Sequence, residues 1–282
     1  MWSLERPNHT ARNSYTTCIS RVRLLALRLR LQAATPNIVA ASRAFDLAGR
    51  RKSLHEVARD PLVGNDITAE EMGKLYTQRM ARIGAPGRAI YDDLLIAPAH
   101  GRCPLCGQRQ VSTLDHHLPK AHYPALAVVP LNLVPSCSDC NKAKLDSIPL
   151  TASDVSLHPY FDNIDAERWL NAGVIETQPA ALRFRVNTIA SWDALLQLRV
   201  ENHFRTLGLA KLYASEAADE LLNIRHHLTD LRAHSGTDTV RAQLVDRARS
   251  CVTARQNGWR AAAYGAWAQS DWFCGGGFEP VG

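Results

Sequence analysis

The sequence predicts an α+β protein that is mostly helical, with a small zinc-clamped finger of two strands and a helix set between helical N- and C-terminal regions. Three observations predict it. Four of the seven cysteines fall in two CxxC pairs, Cys103/Cys106 and Cys137/Cys140. Between and just beyond them the chain concentrates Asp, His, Pro, Asn and Lys, as in "STLDHHLPKAHYP" (112–124) and "CNKAKLD" (140–146). On either side run long stretches of helical apolar spacing. The expected layout is a basic, mostly helical region over 1–98, the finger over 99–162 and a mostly helical region over 163–282.

Each element has its own local signal. Residues 16–31 are apolar with interleaved Arg; helix is the first expectation, and the alternation of "LRLRL" leaves strand open. Residues 68–83 predict a helix, because Thr68 and Glu71 form a capping box and Met72, Leu75, Tyr76, Met80 and Ile83 share one face. "APG" at 85–87 ends it, and "RAIYDDLLI" forms a shorter helix. "VSTLDHH" is an extended run ending at Pro119, and a helix begins at "CNKAKLD". "LRFRVNTI" (182–189) alternates as a strand does. Helices follow over about 191–208, about 210–234 with a stop at Gly236, and beyond Asp238. "CGGGFEPVG" reads as a flexible tail.

Composition narrows the classes. At 46% hydrophobic and 21% charged, the 282 residues match a soluble globular protein of one large or two smaller domains. No run of about 20 apolar residues marks a spanning helix. The start has no basic-then-apolar leader; its Arg-rich, acid-poor character is shared with mitochondrial presequences but runs on into helix-like sequence. An odd cysteine count with two CxxC pairs is a metal-site pattern, which implies a reducing, cytoplasmic location. Cys18, Cys251 and Cys274 read as small hydrophobes. Residues 1–52 carry ten basic and two acidic side chains, a local charge of +8 against +6 for the whole chain. Such a segment suits a polyanion, with Arg28 and Arg30 as candidate contacts, or a solvated helix face.

A CxxC turn holds two thiolates about 3.5–4 Å apart, and two such turns close a tetrahedron around zinc. Four cysteines leave no open position, so the expected zinc is structural. Thirty residues separate the pairs, and the metal would pin the ends of that insert together. The insert holds Asp115, His116, His117, Pro119, Lys120 and Asn132; Asn141, Lys142 and Lys144 follow the last cysteine. A strand pair packed on the following helix would bring Asp115 and Asn141 together. Their oxygens are hard donors suited to magnesium or manganese. A neutral His beside them can take a proton from water.

In order, "CPLCG…LDHHLP…NLVPSCSDCNKAK" resembles the HNH nucleases of the His-metal finger superfamily, over about 40 of 282 residues. The resemblance implies a ββα-metal finger and a metal-dependent endonuclease acting on DNA, with RNA not excluded. In the family pattern the general base lies three residues before the proline and directly after the metal-binding acid, which points to His116 as base and Asp115 as ligand. Colicin-like members use another register, with His116 as ligand and His117 as base. The first is preferred because successive strand side chains diverge. By the same resemblance Asn141 is the second ligand of a catalytic magnesium or manganese ion. Asn132 braces the loop over the site, and Lys144 meets a phosphate. Lys120 and Lys142 are further candidate contacts.

"YDDLL" before the finger and "LHPYFD" after it extend the likeness to HNH proteins of bacterial anti-phage systems, including the Septu-type nuclease that works beside an ABC-type ATPase. No GxxxxGK[ST] motif occurs, so such an ATPase or other defence subunit would be a separate protein. Two alternatives stand. A non-catalytic zinc module that binds nucleic acid would keep the cysteines but not need Asp115, His116 and Asn141. A nuclease of a mobile element or restriction system would call for a sequence-reading element. His122 and Tyr123 read as surface or DNA-facing. His158 is expected to be structural, and Tyr160 and Phe161 to dock the C-terminal region on the finger. His203, His226 and His227 have no partner at ligand spacing.

Overall fold

The computed structural model describes residues 1–64, 66–144 and 148–279. The chain folds as an α+β protein, mostly helical, in two compact units, Met1–Asn163 and Ile164–Gly282. Among the described residues no helix is long and apolar enough to cross a membrane.

The first unit opens with α1 (Ala11–Ile19), α2 (Leu25–Ala33) and α3 (Thr35–Arg50). The apolar run at 16–31 is helical but broken. The break turns Val22 inward to 6% exposure, while Arg21 and Arg23 stay in solvent. Tyr15 then donates its hydroxyl to the Leu31 carbonyl at 2.8 Å, which ties α1 to α2. A short hairpin, β1 (Leu62–Val63) and β2 (Ile67–Thr68), leads into α4 (Ala69–Leu75), which continues as a π-helical turn over Tyr76–Ala81. The Thr68–Glu71 capping box closes both ways. Because the helix ends at Ala81, Ile83 lies outside it and is 85% exposed instead of sharing the apolar face. Gly87 stands where a side chain would strike Cys18 Sγ at 2.7 Å. From there α5 (Arg88–Ile96) runs to the finger.

Within the finger, β3 (Thr113–His116) pairs antiparallel with β4 (Leu133–Ser136), with Asp115 opposite Val134 and His116 opposite Leu133. The helix α6 (Ser138–Lys144) follows and packs on β3; the expected continuation through 145–146 lies outside the described residues. One hydrophobic core joins Ile38, Phe45, Met72 and Met80 from the helices to Leu114, Leu118, Val129 and Leu133 from the finger. Residues 1–98 and 99–162 therefore fold as a single unit. The "LHPYFD" segment is part of it. The Tyr160 hydroxyl donates to Leu133 O at 3.1 Å, and Phe161 lies on Phe45 and over Gly49. Tyr160 thus anchors the segment on β4 and Phe161 ties it to α3, where docking of the C-terminal region was expected.

The second unit is a hairpin of β5 (Leu170–Ile175) and β6 (Ala181–Val186), α7 (Ala194–Thr206), the long α8 (Leu209–Arg255) and α9 (Trp259–Gln269). Gly236 breaks the helical dihedrals of α8 at φ 80°, ψ 176°, so two helices meet there without a loop. Asn257 locks the hairpin: its Oδ1 accepts from Trp169 N at 3.0 Å and its Nδ2 donates to Glu167 O at 2.8 Å. Through Glu279 the tail is packed where flexibility was expected, and residues 280–282 lie outside the described residues. Phe273, Cys274 and Phe278 are buried, and Arg232 grips Glu279 with two bonds of 2.9 and 3.0 Å. Buried aromatic area outweighs the loss of chain entropy at the glycines.

Candidate metal and catalytic centre

The four knuckle cysteines are buried, and their Sγ atoms all lie within 4.8 Å of one another. A zinc–sulfur bond of about 2.3 Å implies tetrahedral edges of roughly 3.8 Å, so the cluster can bind a metal such as zinc. Backbone amides support the anionic sulfurs. Arg109 N donates to Cys106 Sγ and Cys140 N to Cys137 Sγ, each at 3.4 Å. Gly107, at φ +67°, turns the first knuckle, and a Cβ there would meet the Trp2 ring at 3.1 Å. Trp2 N donates to Pro104 O at 2.8 Å, so the N-terminal segment packs directly on this knuckle.

Asp115 and His116 are successive residues of β3 with opposite characters. Asp115 is 4% exposed and holds the Lys144 ammonium at 2.5 Å across to α6. Burial pushes its carboxyl up from the usual range, and Lys144 and then Lys120 oppose that push. His116 donates Nε2–H to the Ala127 carbonyl at 2.8 Å. A carbonyl only accepts, so this bond fixes the tautomer and leaves Nδ1 with its lone pair. Burial lowers the ring from 6.5 to about 3; the Ala127 bond works against this, and the charges of Lys120 and Lys144 add to it. The ring is therefore neutral at pH 7. Tyr76 meets it edge-on at 4.5 Å and sends its hydroxyl to Leu114 O at 3.3 Å.

The loop between the strands is pinned by Asn132, which is fully buried. Its Oδ1 accepts from Leu118 N at 2.8 Å, and its Nδ2 donates to Leu118 O at 3.0 Å and Leu126 O at 3.3 Å. The two Leu118 groups would otherwise be buried without partners, while Leu126 O also accepts from Val129 N at 3.2 Å. His117 is buried and packs on His158, ring centres 4.3 Å apart. His158 uses both nitrogens on backbone: Nε2 donates to Leu131 O at 3.1 Å, and Nδ1 accepts from Tyr160 N at 3.2 Å.

Asn141 sits on α6 three residues before Lys144, on the adjoining face. It is half-buried, and its amide has no hydrogen-bond partner among the described residues. Lys120 holds its ammonium 5.8 Å from the Tyr76 ring centre, and Lys142 is exposed. Of the two arginines singled out on α2, Arg28 is half-buried. Arg30 is engaged by Asp66 at 2.7 Å and Glu71 at 2.9 Å, which makes it an internal tie. Tyr123 is 3% exposed and belongs to the core, contrary to expectation, while His122 is exposed. Two contributors went unnoticed in the sequence. Tyr76 showed only as one apolar-face residue of α4, and the Ala127 carbonyl leaves no side-chain signal at all.

The chain resembles the protein Ea31 of Escherichia phage lambda, at 34% identity over 175 residues. That match takes in 60% of this chain and 58% of Ea31, so the chain spans less than two thirds of its relative's length. No protein family profile and no solved structure matches the chain.

Proposed function

We propose that the protein is a metal-dependent HNH endonuclease that hydrolyses phosphodiester bonds in DNA. The observation that carries this reading is the state of His116. A backbone carbonyl takes its Nε2–H, leaving a neutral Nδ1 with a free lone pair, on the residue that follows the buried Asp115 in β3. That is the arrangement of a general base. In this reading β3, β4 and α6 form the ββα finger, and the four cysteines hold a structural zinc that fixes it.

Asp115 and Asn141 would hold a magnesium or manganese ion. The fit lies in the donor set: a buried carboxylate already bound to one cation, with an amide oxygen on the neighbouring face of α6. When bound, such an ion supplies charge stabilisation for a leaving oxygen. His116 Nδ1 accepts the proton of the attacking water, and the Ala127 carbonyl steadies the imidazolium that results. Asn132 keeps that carbonyl in place through Leu126 and Leu118. Lys144 and Lys120 place positive charge where a scissile phosphate would sit. A separate ABC-type ATPase or other defence subunit is the proposed partner. The phage origin of Ea31 favours a second setting, a nuclease carried by a mobile element.

The test is plasmid nicking with magnesium or manganese. Wild type and His117→Ala should nick supercoiled plasmid, and His116→Ala should lose about 100-fold or more in rate. Loss confined to His117→Ala would move the base by one residue. Nicking by all three would remove the histidine mechanism.

A further inference from the structure

The first unit carries a cleft with basic side chains at its rim, apart from the candidate centre. The cleft, of about 340 Å³, is lined by Arg6, Arg12, Arg43 and His9 over a floor that includes Val129 and Leu131. No Asp or Glu lines it. Two of these side chains are answered from outside the lining: Arg6 pairs with Asp46, and His9 Nε2 lies 2.9 Å from Asp93 Oδ2. Arg12 and Arg43 are exposed and have no carboxylate partner among the described residues. Guanidinium charges without counter-ions, sharing one concavity, attract an anion, and their planar forks match phosphate oxygens two at a time. The hydroxyls of Thr10 and Ser42 border the same space.

The floor belongs to the loop that serves the candidate centre. That loop supplies the Ala127 carbonyl to His116 and the Leu131 carbonyl to His158. An anion seated here is thus held at a fixed place relative to His116. We propose that the cleft seats a phosphate of the nucleic-acid backbone, with Arg12 and Arg43 as its contacts. The choice of polyanion rests on the nuclease reading. It moves the basic contact from α2, where Arg30 is neutralised, to the mouth of α1 and the outer face of α3.

The experiment is fluorescence anisotropy of a labelled 20-base-pair duplex with the full chain. Zinc-loaded His116→Ala protein without added divalent ions serves as the parent, so that no cutting occurs. Adding Arg12→Glu and Arg43→Glu should weaken binding about tenfold or more and reduce the salt slope by about 2. The control adds Arg183→Glu and Arg185→Glu, exposed positions of β6 with the same net charge change. It should cost no more than about twofold, since only nonspecific attraction is altered. Circular dichroism melting confirms that both variants fold. Equal weakening in the two variants, or none in the cleft variant, overturns the proposal. So does displacement of the duplex by ATP in the parent but not in the cleft variant, which would make the cleft a nucleotide pocket. Wild type that nicks plasmid while the cleft variant binds like the control would sink the cleft and leave the nuclease reading intact.

Discussion

At His116 the ring is held neutral by burial, and the sign of the consequence can be worked out. Its folded value is about 3 against an ordinary 6.5. Between those values the unfolded chain binds more protons, so stability is full above about pH 6.5 and is lost as pH falls toward 3. From pH 7 to pH 5 this amounts to about 2 kcal/mol. Urea unfolding at both pH values should show that much extra loss in wild type relative to His116→Gln. Equal losses would mean an ordinary histidine. The Asp115–Lys144 pair makes a separate prediction. Lys144→Met leaves a buried carboxylate alone and should cost about 3 kcal/mol. Adding Asp115→Leu should recover most of that cost in a double-mutant cycle, because no charge then remains uncompensated. Additive losses would show that the two residues do not act as a pair.

Among the elements, the loop between β3 and β4 depends most on one side chain. Asn132→Ala strands Leu118 N and Leu118 O and should destabilise the first unit by roughly 2 kcal/mol. Amide exchange should rise across 117–132 and stay unchanged in α8. Uniform acceleration across the chain would place the effect elsewhere. The helices show what local signals can and cannot supply. The "RAIYDDLLI" helix has its expected bounds because its apolar spacing and the preceding turn agree. The run at 16–31 breaks only because Val22 finds the core. The strand β5 was not foreseen. Its "LNAGVI" lacks clear alternation and gains its identity from pairing with β6.

For the molecule as a whole, two units with separate cores predict separable responses. Purified protein should carry about one zinc per chain, held by the four cysteines. Chelation, or Cys137→Ser, should unfold the first unit, since the knuckles close the ends of the β3–β4 insert. The β5–β6 hairpin, α8 and α9 should keep their amide protection. Loss of protection in both units at once would show that they fold as one cooperative block.

Elements whose chemistry is local can be read directly from the chain. Two CxxC turns at a fixed spacing make a four-sulfur cluster. The Thr68–Glu71 box starts α4, and the "DHHLP" order ends a strand on consecutive Asp and His. What those side chains meet is set by packing across the folded unit. Residues 1–98 and the finger share a core, and Lys144 reaches Asp115 from α6. Tyr76 and the Ala127 carbonyl enclose His116, and Arg30 turns inward to two carboxylates. Each of these joins residues far apart in the chain. A partner at such a distance leaves no periodicity or spacing in the sequence; packing alone brings it within reach.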